Sequence, residues 1–464
     1  MIRCPRLIIA GLGGDTGKTA ISVGLCRFWS RKGRHVVPFK KGPDYIDMGW
    51  LGWAAGRPCY NLDLFMMGRK EVLASFCLNT AGADIALIEG NRGLYDGMDA
   101  QGNVSTAELS KLLHAPVIVV VDCTKVTRTV AALVLGLQTF DRDVPIRGVI
   151  LNRLAGTRHE QVIRESIERY CDLPIVGAIP KLRDATFPGR HLGLVPYQEH
   201  PMAEQAVEKA EGIVSKFLDT ELLTRVSSQS TPIDFHCETQ PEYTGERVTI
   251  GVVRDSAFQF YYAENIDALR KAGAEILEFS ALTDDLPASL DALYLGGGFP
   301  ETHAEMLSKN HQLRRSVRDA AEQGLPVYAE CGGLMYLADN LIWNDQTYPM
   351  AGVLPITVGV SKKPQGHGYT VVEVEKENPY FEVGRRLHGH EFHYSHVLRI
   401  DEKQGLALVF RMIKGHGVAD NMDGFCYKNV FAAYTHLHAF GTGEWVEGLI
   451  KTALEFKRKK FIPK

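Results

Sequence analysis

Residues 11–20 read "GLGGDTGKTA" and follow directly on the apolar run "RLIIA" of residues 6–10. An apolar run, a glycine-rich turn and a segment opening on Lys-Thr spell strand, phosphate-cradling loop and helix. The strict spacing G-x-x-x-x-G-K-[ST], set on Gly17, Lys18 and Thr19, needs glycine at position 12. This chain has Leu12 there and places its glycines at 11, 13 and 14. The correct flanks outweigh the displaced glycine. Backbone N–H groups of Gly14, Asp15, Thr16 and Gly17 would face an anion together with the helix start. Lys18 would reach the β and γ phosphate oxygens, and Thr19 would hold Mg²⁺. The expected ligands are ATP and Mg²⁺.

Outward from this loop, the first half alternates short apolar runs with helix-length segments: "HVVPFK", "DIALIEG", "PVIVVVD", "IRGVILN" and "LPIVGAIP". Fully apolar strands so separated predict an α/β domain built on a parallel sheet covered on both faces. In such a sheet the loops at the carboxyl ends of the strands meet in one crevice. "PFKKGPDYIDMG" (residues 38–49) puts Lys40, Lys41, Asp44 and Asp47 in the loop after the second strand, and "LIEGNRGLYDG" (87–97) adds Glu89 and Asp96 after the next. Four carboxylates beside a triphosphate are explicable if Mg²⁺ bridges them; the plainer reading, a turn or helix cap, suits Asp44 or Asp47 singly. Asn152 in "GVILNRL" is placed either to meet a nucleotide base or to cap a turn.

The 464 residues and 45% hydrophobic content suffice for more than one core. From about Thr220 the composition turns polar and aperiodic, with "SSQSTPIDFHCETQPEYTGE" at 227–246. This predicts an ATP-binding domain over 1–222, a linker over 223–246 and a second α/β domain over 247–464. In that domain "RVTIGVV", "AEILEF", "ALYLGGG" and "LPVYAEC" continue the strand–helix series, and the strands after about Ala351 are closer together and partly antiparallel. A net charge of −3 gives no reason to expect nucleic acid. No apolar run approaches the roughly 18 residues of a membrane span. The nine cysteines contain no C-x-x-C pair, as expected of reduced thiols in the cytoplasm.

"VYAECGGLMYL" (327–337) ends a strand at Glu330, turns sharply at Cys331 and opens a helix. This is a nucleophile elbow with cysteine as the nucleophile. The glycines after it let backbone N–H groups approach an oxyanion, "LGGGFPE" (295–301) could supply a second donor, and the helix start would favour the thiolate. A distant histidine should act as base, and "AAYTHLHAFG" (432–441) offers His436 and His438.

Taken together, "GPDYID", "LYDG", "GGGFPE", "AECGGLMYL" and "GHEFHYS" resemble the cobyrinic acid a,c-diamide synthase family over nearly the whole chain. The N-terminal part is similar to dethiobiotin synthetase-like P-loop enzymes, where displaced glycine spacing is normal. The C-terminal part is similar to class I glutamine amidotransferases of the cobyric acid synthase type. The resemblance implies a ligase: ATP phosphorylates peripheral acetate carboxylates of a tetrapyrrole, and ammonia from glutamine displaces the phosphate. It implies Cys331 as nucleophile and, because the family's Y-x-H falls on Tyr434-Thr435-His436, His436 rather than His438 as its base. Asp44, Asp47, Glu89 and Asp96 match carboxylates near Mg²⁺ and substrate, with Thr19, Asp47 and Glu89 as metal ligands and Lys41 beside the phosphates. The partners implied are the tetrapyrrole and glutamine, with a homodimer left open.

Three features depart from the pattern or stand outside it. Many class I amidotransferases have His-x-Glu where this chain has His436-Leu437-His438, which leaves the third member of the relay open. His390, Glu391 and His393 of "GHEFHYS" lack the H-E-x-x-H spacing and read as an interdomain or substrate-facing hydrogen-bond cluster rather than a metal site. The resemblance implies cobyrinate as the first reading of the acceptor, but Asn91-Arg92 replaces Val-Met before "GLYDG" and pulls towards siroheme or nickel-sirohydrochlorin as the alternative. A reading from a different class, a positioning ATPase switch on a membrane, would use the basic amphipathic C-terminus "EGLIKTALEFKRKKFIPK". Such ATPases carry a lysine five residues before Lys18, where this chain has Gly13, and they need no cysteine elbow. A solvated outer helix is the simpler reading of that C-terminus.

Overall fold

The computed structural model describes residues 1–182, 189–190, 193–236 and 243–460. It divides into two compact units: Met1–Leu64 with Gly68–Glu238, and Thr239–Lys464 with the short segment Phe65–Met67.

The first unit is a seven-stranded sheet. Its strands are β1 (Arg6–Gly11), β2 (Val36–Lys41), β3 (Tyr60–Leu62), β4 (Ile85–Glu89), β5 (Val117–Asp122), β6 (Ile146–Leu154) and β7 (Ile175–Pro180), in the order β3-β2-β4-β1-β5-β6-β7. Every pairing is parallel. The chain runs outward from β1 in both directions, so the crevice at the switch point opens over the ends of β1, β4 and β5. The phosphate loop leaves β1 there and enters α1 (Lys18–Arg31). Leu25 and Trp29 of α1 pack with Val207, Ala210 and Val214 of the helix Ala203–Phe217 in one buried cluster. Arg27 and Arg31 pair with Glu204, Glu208 and Glu211 along the exposed rim of the same contact. Exposed pairs of this kind add little, whereas each fully buried large apolar side chain contributes about 1.5–3 kcal/mol, so the apolar face holds α1 in place.

Two sequence expectations need correction. Lys40 and Lys41 are not loop residues but the last two residues of β2, and Asp47 lies in the first turn of α2 (Ile46–Ala55). Only Asp44 stays in the connection. The polar stretch from Thr220 opens with a helix, Thr220–Ser227, whose Leu223 and Val226 are buried. The remainder of the expected linker falls partly on 237–242, outside the described residues.

The second unit has a nine-stranded mixed sheet. Its parallel part runs Ala274–Phe279, Val248–Val253, Ala292–Leu295, Val327–Glu330 and Val430–Ala433. It continues through antiparallel strands Met422–Tyr427, Ala407–Lys414, Gly366–Val374 and Arg386–His393. This matches the parallel-then-antiparallel pattern expected from the sequence. The C-terminal helix Glu444–Lys460 buries Trp445, Leu449 and Ala453 in this unit's own core, and Lys457 donates to the Arg247 carbonyl at 2.6 Å. Its apolar face is therefore occupied; residues 461–464 lie outside the described residues.

Arg6, in the central strand β1, is fully buried. Its guanidinium donates to the Leu113 carbonyl at 2.5 Å, to the Cys4 carbonyl at 2.8 Å and to Thr231. Burial pulls it down to about 10. Arg6→Ala would strip donors from three carbonyls at once and leave a cavity. It is expected to cost about 2–4 kcal/mol, read as a fall in the denaturant midpoint of the N-terminal unit.

Candidate active site

At the carboxyl edge of the first sheet, one ammonium organises the charges. Lys40 Nζ lies 2.6 Å from Asp47 Oδ2 and 2.8 Å from Glu89 Oε1. Thr19 Oγ1, at the start of α1, donates to the same Glu89 oxygen at 2.8 Å. These residues come from β2, α2, β4 and α1. Burial works against the Lys40 charge, but Asp47 and Glu89 outweigh it and hold the ammonium well above lysine's usual range. Burial pushes the Glu89 carboxyl up, against the pull of Lys40. Glu89 Oε2 is buried without a hydrogen-bond partner among the described residues. A buried carboxylate oxygen left open beside Thr19 and Asp47 is the donor set a hard divalent cation takes, so Thr19, Asp47 and Glu89 fit Mg²⁺.

The phosphate loop is pre-shaped. Gly17 has φ 96°, and a Cβ there would fall 2.4 Å from Asn152 Nδ2, so both the conformation and the close approach demand glycine. Asn152 donates to the Thr16 carbonyl at 2.8 Å; it braces the loop from the end of β6. Asp15 also takes a left-handed conformation, φ 53°. Lys18 curls back to the Gly13 carbonyl at 2.7 Å, and burial lowers its ammonium. An anion in the cradle would reverse both effects.

Asp44 accepts from the backbone of Ile46 and Asp47, each at 2.9 Å, so it caps the start of α2. Burial, then the charge of Asp47, pushes its carboxyl up to about 7. Asp96 is exposed and accepts from Gly93 N at 2.8 Å, shaping the "NRGLYDG" turn. Arg92 in that turn is exposed, has φ 52° and makes no ion pair among the described residues. Lys41 is buried; burial lowers its ammonium, Asp63 opposes that, and Lys40 and then Arg92 add to it. Lys40 and Asp63 are the members of this edge that sequence reasoning left without a role. The signal for Lys40 was a lysine ending an otherwise apolar strand.

In the second unit Cys331 has φ 48° and ψ −95°, a strained conformation that aims a side chain out of a strand-to-helix turn. Gly332 lies against the triple-glycine loop: a Cβ on it would fall 3.0 Å from Gly298 N and 3.3 Å from Gly297 C. A Cβ on Gly297 would in turn meet His436 Cε1 at 2.7 Å. Elbow, glycine loop and His436 therefore converge, and glycine is required where they touch. The helix after Cys331, Gly332–Leu337, is only six residues long. The expectation that it favours the thiolate is not met. Burial, then the charges of Glu301 and Glu330, push the Cys331 thiol far up.

Both histidines of "YTHLH" are buried. His436 Nδ1 lies 3.2 Å from Glu330 Oε2, and its ring stacks on His390. His438 Nε2 faces Glu264 Oε2 at 3.6 Å instead. Within "GHEFHYS", Glu391 accepts from the backbone of His416 at 2.6 Å and Gly417 at 2.9 Å. His393 stacks face to face on Tyr434. His393, through Tyr434, and His390, whose backbone exchanges hydrogen bonds with that of His436, brace the loop that carries His436.

Comparison with known proteins accords with this geometry. Residues 7–195 match the CobQ/CobB/MinD/ParA nucleotide binding domain, and 249–443 the CobB/CobQ-like glutamine amidotransferase domain. The first description spans enzymes and positioning ATPases alike; the second domain belongs with the enzymes. The cobyrinate a,c-diamide synthase of Magnetococcus marinus is 43% identical over 97% of this chain and 97% of its own. That of Archaeoglobus fulgidus is 39% identical over 98% of both. Among solved structures, PurLQS from Thermotoga maritima aligns with a TM-score of 0.35 at 18% identity, over 46% of this chain and 100% of that chain, a likeness too slight to bear on function. No helix among the described residues is long and apolar enough to cross a membrane. On full-length identity and both domain matches, the chain belongs to the cobyrinate a,c-diamide synthase family, glutamine-dependent amidotransferases of the ligase class.

Proposed function

We propose that this chain converts acetate carboxylates of a tetrapyrrole into amides, using ATP to activate each carboxylate and glutamine as the source of ammonia. The observation that carries the reading is the meeting of Thr19, Lys40, Asp47 and Glu89 beneath a preformed phosphate cradle. A carboxylate is a poor acyl donor until its oxygen becomes a leaving group, and the γ-phosphoryl of ATP supplies one. Lys18 and the loop N–H groups bind the phosphates, and Thr19, Asp47 and Glu89 hold Mg²⁺, which neutralises charge on the transferred group. Ammonia then attacks the acyl phosphate, the C–N bond forms and inorganic phosphate leaves. In the second unit the Cys331 thiol gives its proton to His436 and attacks the glutamine amide carbon. The proton departs with the leaving ammonia, and water hydrolyses the thioester to glutamate.

The acceptor is a tetrapyrrole on the strength of relatives named for cobyrinate, alike over their full lengths. Cobyrinate is the first reading of the acceptor, and Asn91-Arg92 pulls towards a sirohydrochlorin-derived macrocycle: an exposed guanidinium with no ion pair among the described residues can bind a carboxylate bidentately.

Three outcomes are expected. Cys331→Ala abolishes glutamine-dependent amidation while ammonium-dependent amidation stays within about threefold of the parent; a retained glutamine rate would refute the nucleophile. Lys18→Ala and Asp47→Asn lose at least ~100-fold with either nitrogen donor, read as single-turnover phosphate release with ammonium present. With ATP, Mg²⁺ and glutamine, the enzyme is offered cobyrinate, siroheme and nickel-sirohydrochlorin in turn; the accepted macrocycle gains mass per amide, and Arg92→Met shifts the preference among the three. Turnover of cobyrinate alone, indifferent to Arg92→Met, would remove Arg92 from substrate choice.

A further inference from the structure

The class I pattern places a carboxylate two residues after the base histidine, and here that place holds His438. His438 cannot serve by itself, because it faces Glu264 and carries no acid group. The relay needs an acceptor on the far side of the imidazole from the thiol, to fix its tautomer and steady the imidazolium.

We infer that Glu330, the residue immediately before the nucleophile, is that acceptor: a positioning residue that orients His436 from the end of the Cys331 strand. Its Oε2 lies 3.2 Å from His436 Nδ1. Its Oε1 accepts from Leu437 N at 3.2 Å, so both carboxylate oxygens hold the histidine loop, one by ring and one by backbone. The carboxylate is itself fixed. Tyr328 OH donates to Oε1 at 3.2 Å and Tyr294 OH to Oε2 at 3.4 Å. Glu330 is completely buried and His436 nearly so, and a low dielectric strengthens a fully satisfied network of this kind. The strand pairing sets the distance. Val327–Glu330 runs parallel to Val430–Ala433 with Glu330 opposite Ala433, three residues before His436.

Three other acids near this loop have different partners. Asp423 accepts from Tyr434 N and Thr435 N, Glu264 faces His438, and Glu391 binds the His416–Gly417 backbone. The groups against the His436 ring include Glu330 from the cysteine strand and His390 from the strand Arg386–His393. Burial, then His436 and His438, keep His390 well below its usual range, and the carboxylate on the His436 ring is that of Glu330. Glu330 thereby supplies the counter-charge for the imidazolium.

The inference rests on the Cys331–His436 reading, and the test separates the two. In full-length enzyme, Glu330→Gln keeps the shape but removes the charge and turns one accepting oxygen into an NH₂ donor. Glutamine-dependent turnover is expected to fall about 100-fold or more, with KM for glutamine changed less than threefold. Alkylation of Cys331 by iodoacetamide is expected to shift to higher pH, and Glu330→Asp to recover part of both. Ammonium-dependent amidation, which bypasses this site, reports that the variant is folded. A Glu330→Gln enzyme within threefold of the parent and with an unmoved alkylation profile overturns the inference. If it does so while Cys331→Ala still abolishes glutamine use, the nucleophile stands and only the positioning role falls. Should the variant also lose ammonium-dependent activity, ¹⁵N spectra of histidine-labelled parent enzyme decide, with His436 assigned by its loss in His436→Gln. A proton on Nδ1 supports Glu330 as acceptor, and a bare Nδ1 overturns it.

Discussion

The N-terminal site depends on a single buried cation. Lys40 lies between Asp47 and Glu89, and without it two carboxylates and a raised Asp44 would crowd one edge of the sheet. Desolvating one ion costs several kcal/mol, and two good partners are needed to offset it. The arrangement also reserves a place. Lys40 and Thr19 both engage Glu89 Oε1 and leave Oε2 open in a buried setting. Charge balance among chain residues alone is therefore incomplete, as expected of a site that works with a further cation and a polyanion present.

The second unit solves a different problem. The proposed nucleophile is buried and rigidly aimed, because Cys331 sits at the end of a strand paired on both sides. The strain at φ 48° is confined to one residue whose amide donates to the Ala433 carbonyl at 2.7 Å. Burial raises the thiol, so activation falls to the histidine and its counter-charge rather than to the short helix behind it. In sulfur nucleophiles at long helix starts the backbone can lower the thiol unaided; here it does not.

Much of this was legible in the sequence because it is local. Fully apolar runs separated by helix-length segments define a doubly covered parallel sheet, and Gly17-Lys18-Thr19 and Cys331-Gly332-Gly333 each mark a strand-to-helix turn. What was not legible depends on partners far apart in the chain. Lys40 and Lys41 read as loop residues because lysine seldom ends a buried strand; Asp47 together with Glu89, 49 residues on, makes that position tolerable for Lys40. The helix start after Cys331 suggested an activated thiol, since pattern alone does not report burial or the two carboxylates nearby. Glu330 was visible as the last residue of a strand, but its contact with a histidine 106 residues later follows from which strand lies beside it. The helix Thr220–Ser227 was missed because its two buried apolar residues were outvoted by polar neighbours.

The pairing of Val327–Glu330 with Val430–Ala433 also limits how this lineage can change in length. Side chains alternate faces every residue along a strand, so a one-residue slip in this register would turn Glu330 away from the His436 loop. Two residues separate Ala433 from His436, and a deletion or insertion there would displace the ring by about 3 Å. Surface connections such as those before Gly366 or after Ile400 carry no such tie and can lengthen at little entropic cost. Natural variation in chain length should therefore gather away from 327–332 and 430–437, so that the intervals between these residues are inherited as strictly as the residues themselves.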